Sequence, residues 1–143
     1  QGPVYLRFGR PAVPNFTSSE QKFEIGKAVT LNKGTDITII ATGHLVWEAL
    51  EASKTLAESN INAEVINIHT IKPLDKDVII KSALKTRCVV TAEEHMLNGG
   101  LGDSVAQVLS RELPTPLEMV GVNDTFGESG TPRQLMEKYG LMM

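Results

Sequence analysis

The stretch DITIIATGHLVWEALEASKTLAESNINAEVINIH, residues 36–69, decides the fold. Its first seven residues, DITIIAT, are apolar and β-branched without alternation, which predicts a strand covered on both faces. Gly43 then turns the chain. Between residues 45 and 59, Leu45, Ala49, Leu50, Ala52, Ser53 and Leu56 fall near one helical face. AEVINIH (63–69) reads as strand again. A strand, a helix and a strand this closely spaced predict two parallel strands joined by a crossover.

The alternation continues outward. TIKPLD (70–75) is a loop broken by Pro73, and Asp75 can cap the helix predicted over 76–85. RCVVTAEE (87–94) is a second doubly buried strand, and LGDSVAQVLSREL (101–113) is a helix closed by Pro114. LEMVGVN (117–123) is the last strand. TPRQLMEKYG (131–140) is a helix with Thr131 as N-cap, Pro132 at its first position and Gly140 as its stop. Upstream, EIGKAVTLNKG (24–34) offers one more strand. Val4–Phe8 is a short strand-like run, followed by Gly9, Pro11 and Pro14 in the spacing of an extended linker. The expected fold class is α/β: three layers, with a mostly parallel sheet of about five strands between helices. The expected division is residues 1–20 as the tail of a preceding domain with its linker, and 21–143 as the compact unit.

The chain has 143 residues and a formal charge of −3, with charges of both signs interspersed. No basic stripe is present, which argues against nucleic acid as a partner. No apolar run approaches the roughly 20 residues that cross a bilayer, so no membrane partner is expected. No signal peptide is visible, and the opening QGPVYLRFGRP lacks an initiator Met, which suggests a piece of a longer polypeptide. Cys88 stands alone in an apolar run and reads as a small buried hydrophobe in a reducing compartment, so a cytoplasmic location is expected. Internal repeats and low-complexity tracts are absent from the sequence.

Open parallel sheets bind ligands beyond the carboxyl ends of their strands. Those ends carry His44, then His69, then Glu93, Glu94 and His95, then Asp124. All three histidines of the chain are among them. Histidine and carboxylate are the parts of a metal or acid/base site. They are equally the parts of a polar rim that satisfies backbone groups and meets a neighbouring domain, and this second reading is the favoured one. The sequence has no HExxH or CxxC.

EEHMLNGGLGDS (93–104) tests a third possibility, a phosphate cradle. The dinucleotide-type loop needs GxGxxG between strand and helix, and here the glycines read GGLG. A helix N-terminus attracts anions, but Glu93, Glu94 and Asp103 already supply negative charge there. A sharp turn with close helix packing explains the glycines better. In VNDTFGESGTP (122–132), Phe126 fits either a surface aromatic or a core residue. Arg7 and Arg10 in YLRFGRP fit either a fork onto phosphate or carboxylate, or solvated linker positions.

Taken together, YLRFGRPAVP, TGHLVWEALEAS, INIHTIKPLD, EEHMLNGGLGDSVAQVL and VGVNDTFGESGTPRQLMEKYGL resemble the carboxyl-terminal region of transketolases, most of all the bacterial type split into two polypeptides. The resemblance covers nearly the whole chain, in order. The wider superfamily includes 1-deoxyxylulose-5-phosphate synthase and the beta subunits of 2-oxo acid dehydrogenases. RFGRP, the histidine after the two glutamates, and Ser129 in FGESG favour the transketolase branch.

The resemblance implies several things. Thiamine diphosphate and its magnesium (or calcium) would lie between other domains, and the glutamate that activates the cofactor would lie upstream, so neither Glu93 nor Glu94 is that residue. Arg7 would contact the sugar phosphate of the substrate. The domain itself would support and dimerise the enzyme, with the remaining transketolase domains or an amino-terminal subunit as its partner. His44, His69, Glu93, Glu94, His95 and Asp124 would then lie toward a domain or subunit boundary. The competing readings are an independent module binding a small effector or cation at the strand ends, and the interaction domain of an oxo-acid dehydrogenase subunit.

Overall fold

The structure, a computed structural model, describes residues 2–6, 9 and 12–142. Along the chain run β1 (Val29–Asn32), β2 (Ile37–Ala41), α1 (Leu45–Glu58), β3 (Ala63–Asn67), α2 (Lys76–Thr86), β4 (Val89–Met96), α3 (Leu101–Glu112), β5 (Leu117–Val122) and α4 (Pro132–Lys138). The five strands form one sheet in the order β1-β3-β2-β4-β5. β2 pairs in parallel with both β3 and β4, and β4 in parallel with β5. β1, from the run 24–34, joins the edge antiparallel to β3. The expected α/β class and mostly parallel sheet are therefore present.

Successive strand residues face opposite ways, so neighbouring apolar residues feed two cores. Ile40 and Ile66 pack with Ile79 of α2 and Leu101 and Val105 of α3. Ile39 and Val65 pack with Leu45, Val46 and Ala49 of α1 and with Leu141 beyond α4. This is why β2 and β3 read as unbroken apolar runs: each has helices on both sides.

Helix ends form where the sequence places their caps. The Asp75 carboxylate accepts the Val78 amide hydrogen at 3.4 Å, opening α2. Thr131 accepts the Gln134 amide hydrogen while the Gln134 side chain reaches back to Thr131, a reciprocal capping box at α4.

Three expectations need correction. Val4, Tyr5 and Leu6 form no strand; they are exposed and pair with no strand among the described residues, while Arg7 and Phe8 lie outside the described residues. Cys88 is half-buried, because it stands at the entrance to β4, where its thiol donates to the Asp36 carbonyl at 3.2 Å. Finally, β4 runs two residues later than expected, so Glu93, Glu94 and His95 lie inside the strand. The β4–β5 register shifts between Ala92 and Met96, across this segment. Such irregularities re-aim side chains at sheet rims.

Candidate functional site: a crevice at the strand carboxyl ends

From β2 the chain goes to β3 on one side, then returns to β4 on the other. The carboxyl ends of β2 and β4 therefore diverge in their onward connections, and a crevice opens between them. Here it is a depression of about 480 Å³, lined by Thr42, Gly43 and His44 from the end of β2 and by Glu93, Glu94 and His95 from β4. Gly9, from the amino-terminal arm, closes one side.

Two side chains of this rim, His44 and Glu94, are paired with each other, and His95 bonds to backbone. His44 Nδ1 lies 2.9 Å from Glu94 Oε2, with both side chains partly exposed. His95 Nδ1–H donates to the Met96 carbonyl at 2.9 Å; a carbonyl can only accept, which assigns the proton to that nitrogen.

Glu93 behaves differently from its neighbour. It is 1% exposed. Its carboxylate accepts the amide hydrogens of Leu101 at 2.7 Å and Gly102 at 2.8 Å. These are donors that the first turn of a helix leaves unsatisfied. Glu93 thus caps α3 from a neighbouring strand. Any side chain at position 100 would overlap the Glu93 carboxylate, which accounts for Gly100. Asp103 accepts the Gly99 amide hydrogen at 2.6 Å. The anion site that a glycine-rich helix start suggests is filled by the protein's own carboxylates, and these residues do not fit a diphosphate.

His69 and Asp124 stand apart. β3 lies on the far side of β2 from β4, so His69 does not line the crevice. Its Nδ1 is 3.1 Å from Thr70 Oγ1, its ring lies against Phe23 with centroids 4.6 Å apart, and its Nε2 is buried without a hydrogen-bond partner. Asp124 is exposed on the loop before α4. On the same loop Phe126 is 96% exposed, which decides between its two readings. Arg7 and Arg10 lie outside the described residues. No group of three metal-ligating side chains occurs among the described residues, and none of their helices is long and apolar enough to cross a membrane.

Two features were not foreseen. Gly9 sits on the His44 ring. At the opposite end of the sheet, Glu64 is 6% exposed and accepts from Ser82 and, at 2.5 Å, from Lys85. Thr38 Oγ1 is 2.6 Å from both Ser82 and Thr86 hydroxyls. No spacing in the sequence signals either cluster, since each joins residues from distant segments.

The same architecture occurs in known proteins. A solved structure described as a split gene transketolase, inactive beta4 tetramer, superposes with a TM-score of 0.90 at 49% identity, over 93% of this chain and 44% of that one. The 6-deoxy-6-sulfo-D-fructose transketolase subunit SqwH of Clostridium sp. (strain MSTE9) is 48% identical over 98% of this chain and 44% of its own length. A 1-deoxy-D-xylulose-5-phosphate synthase of Geobacter sulfurreducens is 40% identical over 98% of this chain and 23% of its own. The chain thus spans less than half the length of these relatives. The family model described as "Transketolase, C-terminal domain" matches residues 26–143, and the chain belongs to that family.

Proposed function

We propose that this chain is the carboxyl-terminal domain of a split transketolase whose complete form moves two-carbon ketol units between phosphosugars. In this reading the domain is a rigid support and dimerisation element. Residues 1–20 are the tail of the preceding domain and its linker, and Arg7 contacts the sugar phosphate. His44, His69, Glu93, Glu94, His95 and Asp124 face a domain or subunit boundary. Thiamine diphosphate and magnesium (or calcium) are held elsewhere in the enzyme, where the cofactor supplies the carbanion chemistry. The domain's task is to keep that cleft fixed. The complete enzyme is cytoplasmic, and its partners are the remaining transketolase domains or an amino-terminal subunit, with a homodimer contact.

One observation carries this reading. Gly9 of the arm lines the strand-end crevice, and Val4, Tyr5 and Leu6 are 85%, 87% and 70% exposed. Three consecutive exposed apolar residues need a partner surface, and relatives more than twice as long have the mass to supply it.

The synthase relative supports a second reading, the same domain of a 1-deoxyxylulose-5-phosphate synthase. A donor assay on the complete enzyme with thiamine diphosphate and magnesium separates the two. Turnover of xylulose 5-phosphate with ribose 5-phosphate is the expected result. Turnover of only pyruvate with glyceraldehyde 3-phosphate would move the enzyme to the synthase branch, and failure with both pairs would leave an independent binding module.

A further inference from the structure

We infer that the hollow at the amino end of β3 is a binding site for a phosphate group, held by Lys33, Lys81 and Lys85. The site lies at the end of the sheet away from the strand-end crevice, and it does not depend on the transketolase reading.

The hollow has a built polar floor. Glu64, the second residue of β3, is 6% exposed, and Ser82 of α2 is 3% exposed. A carboxylate only accepts, so the Ser82 hydroxyl proton goes to Glu64. Thr38, 2.6 Å from Ser82, must then donate to it, and Thr86, 2.6 Å from Thr38, donates in turn. The other Glu64 oxygen accepts from Lys85 at 2.5 Å. Every group of this floor has a partner, and the Lys85 ammonium is fixed at its edge. Taking a carboxylate out of water to hold a lysine is a poor way to gain stability. What it does gain is a cation in a set place.

The cations of the hollow outnumber its acids. It measures about 360 Å³, and its polar lining is Thr30, Lys33, Glu64, Lys81, Ser82 and Lys85. Glu64 is the one acid of that lining, and Lys85 already neutralises it. Lys33 and Lys81 take part in no ion pair among the described residues. Lys81 and Lys85 stand four residues apart on α2, a spacing at which like charges repel. Lys33 follows β1 and closes the set. In a chain of formal charge −3, three ammoniums thus share one hollow with one acid. An anion between them removes the repulsion.

The lining also selects the anion. Each ammonium offers three donors and acts on phosphate as a point charge. The volume falls in the range of small-molecule sites, roughly 300–1,000 Å³. The cations gather at one hollow and form no stripe, which fits a phosphate or a small phosphate ester and not a nucleic-acid backbone.

The test acetylates the lysines of the complete protein and reads each position by mass spectrometry. Inorganic phosphate is the probe, and sodium chloride at matched ionic strength is the control. Phosphate at about ten times its half-protection concentration slows acetylation of Lys33 and Lys81 by about tenfold. Lys22 and Lys54, outside the hollow, are unchanged. Lys33→Gln abolishes the protection of Lys81 and Lys33→Arg keeps it; position 33 is exposed, so both variants fold. Slowing at all lysines alike, equal slowing by chloride, or protection of Lys81 that survives Lys33→Gln would overturn the site. A parallel titration with glucose 6-phosphate identifies the source of the phosphate. Half-protection at a lower concentration than with inorganic phosphate assigns a phosphorylated metabolite, the reverse order assigns the free ion, and both support the site. No readout here needs turnover, so an enzyme that moves no ketol unit would refute the transketolase reading and leave this test intact.

Discussion

The carboxylate of Glu93, inside β4, accepts the amide hydrogen of Leu101, the first residue of α3, at 2.7 Å. It accepts that of Gly102 as well, and it does so in the protein interior. Bonds to a charged acceptor are stronger than neutral ones, and leaving two buried donors without a partner adds a desolvation cost. Glu93→Ala is expected to destabilise the domain by about 2–4 kcal/mol. Gly100→Ala loses stability in the same direction, because its methyl overlaps the carboxylate. Glu93→Gln keeps the shape and one strong acceptor, and loses less. Urea unfolding at constant slope measures all three, and wild-type stability in Glu93→Ala would refute the capping role.

Glu93 also shows where sequence reading stopped. The order of elements was legible because β2 and β3 are continuous apolar runs and the helices carry caps such as Asp75 and Thr131. The direction of β1 was not legible, since a short edge strand pairs either way. Glu93 and Glu94 were equivalent as letters. The alternation of side chains along β4 buries the first and exposes the second, and only the position of α3 turns the buried one into a cap. In the sequence His69 resembles His44 and His95, because all three stand at predicted strand ends. The strand order separates them, and that order is a long-range property. The seat of Gly9 on His44 joins residues 35 positions apart and left no periodic trace.

Gly34 gives a sharper stability test. A Cβ there would overlap backbone atoms of Asn62, Ala63 and Glu64, where the loop before β2 meets the start of β3. The Thr35 and Asp36 amides both donate to the Asn62 carbonyl at 3.0 Å, which pins the two segments together. Backbone cannot move aside as a flexible side chain can. Gly34→Ala is expected to cost about 3 kcal/mol or more, beyond the usual range for a surface loop. A thermal melt within 2 °C or so of wild type would show that the loops separate freely.

Asp36 makes that same junction sensitive to acid. Its carboxylate accepts the Asn62 amide hydrogen at 2.6 Å and the Thr35 hydroxyl at 3.1 Å. The Asn62 backbone bond first, and then the Thr35 side chain, hold its pKa below the ordinary aspartate value. A depressed folded pKa contributes stability that is fully present above the unfolded value, about 4, and is lost as pH falls through the folded one. Asp36→Asn should therefore melt at lower temperature than wild type at neutral pH. The gap should narrow as pH falls below about 4. A gap that is independent of pH would assign the effect to shape and not to charge.

This domain alone is expected to bind neither thiamine diphosphate nor its metal. A diphosphate needs free backbone donors or cations, and its metal needs a set of hard ligands. At the start of α3, Glu93 takes the Leu101 and Gly102 donors and Asp103 takes Gly99. Beside them, Glu94 adds negative charge that a diphosphate would have to approach. Titrating thiamine diphosphate with magnesium into this chain should give no saturable heat, whereas the complete enzyme should bind it stoichiometrically. If the chain alone bound the pair, the strand-end crevice would have to open by releasing Glu93 from α3. In that case Glu93→Ala, expected here only to lose stability, would gain affinity for the ligand. Silence in both proteins would instead remove the thiamine cofactor from the functional reading altogether.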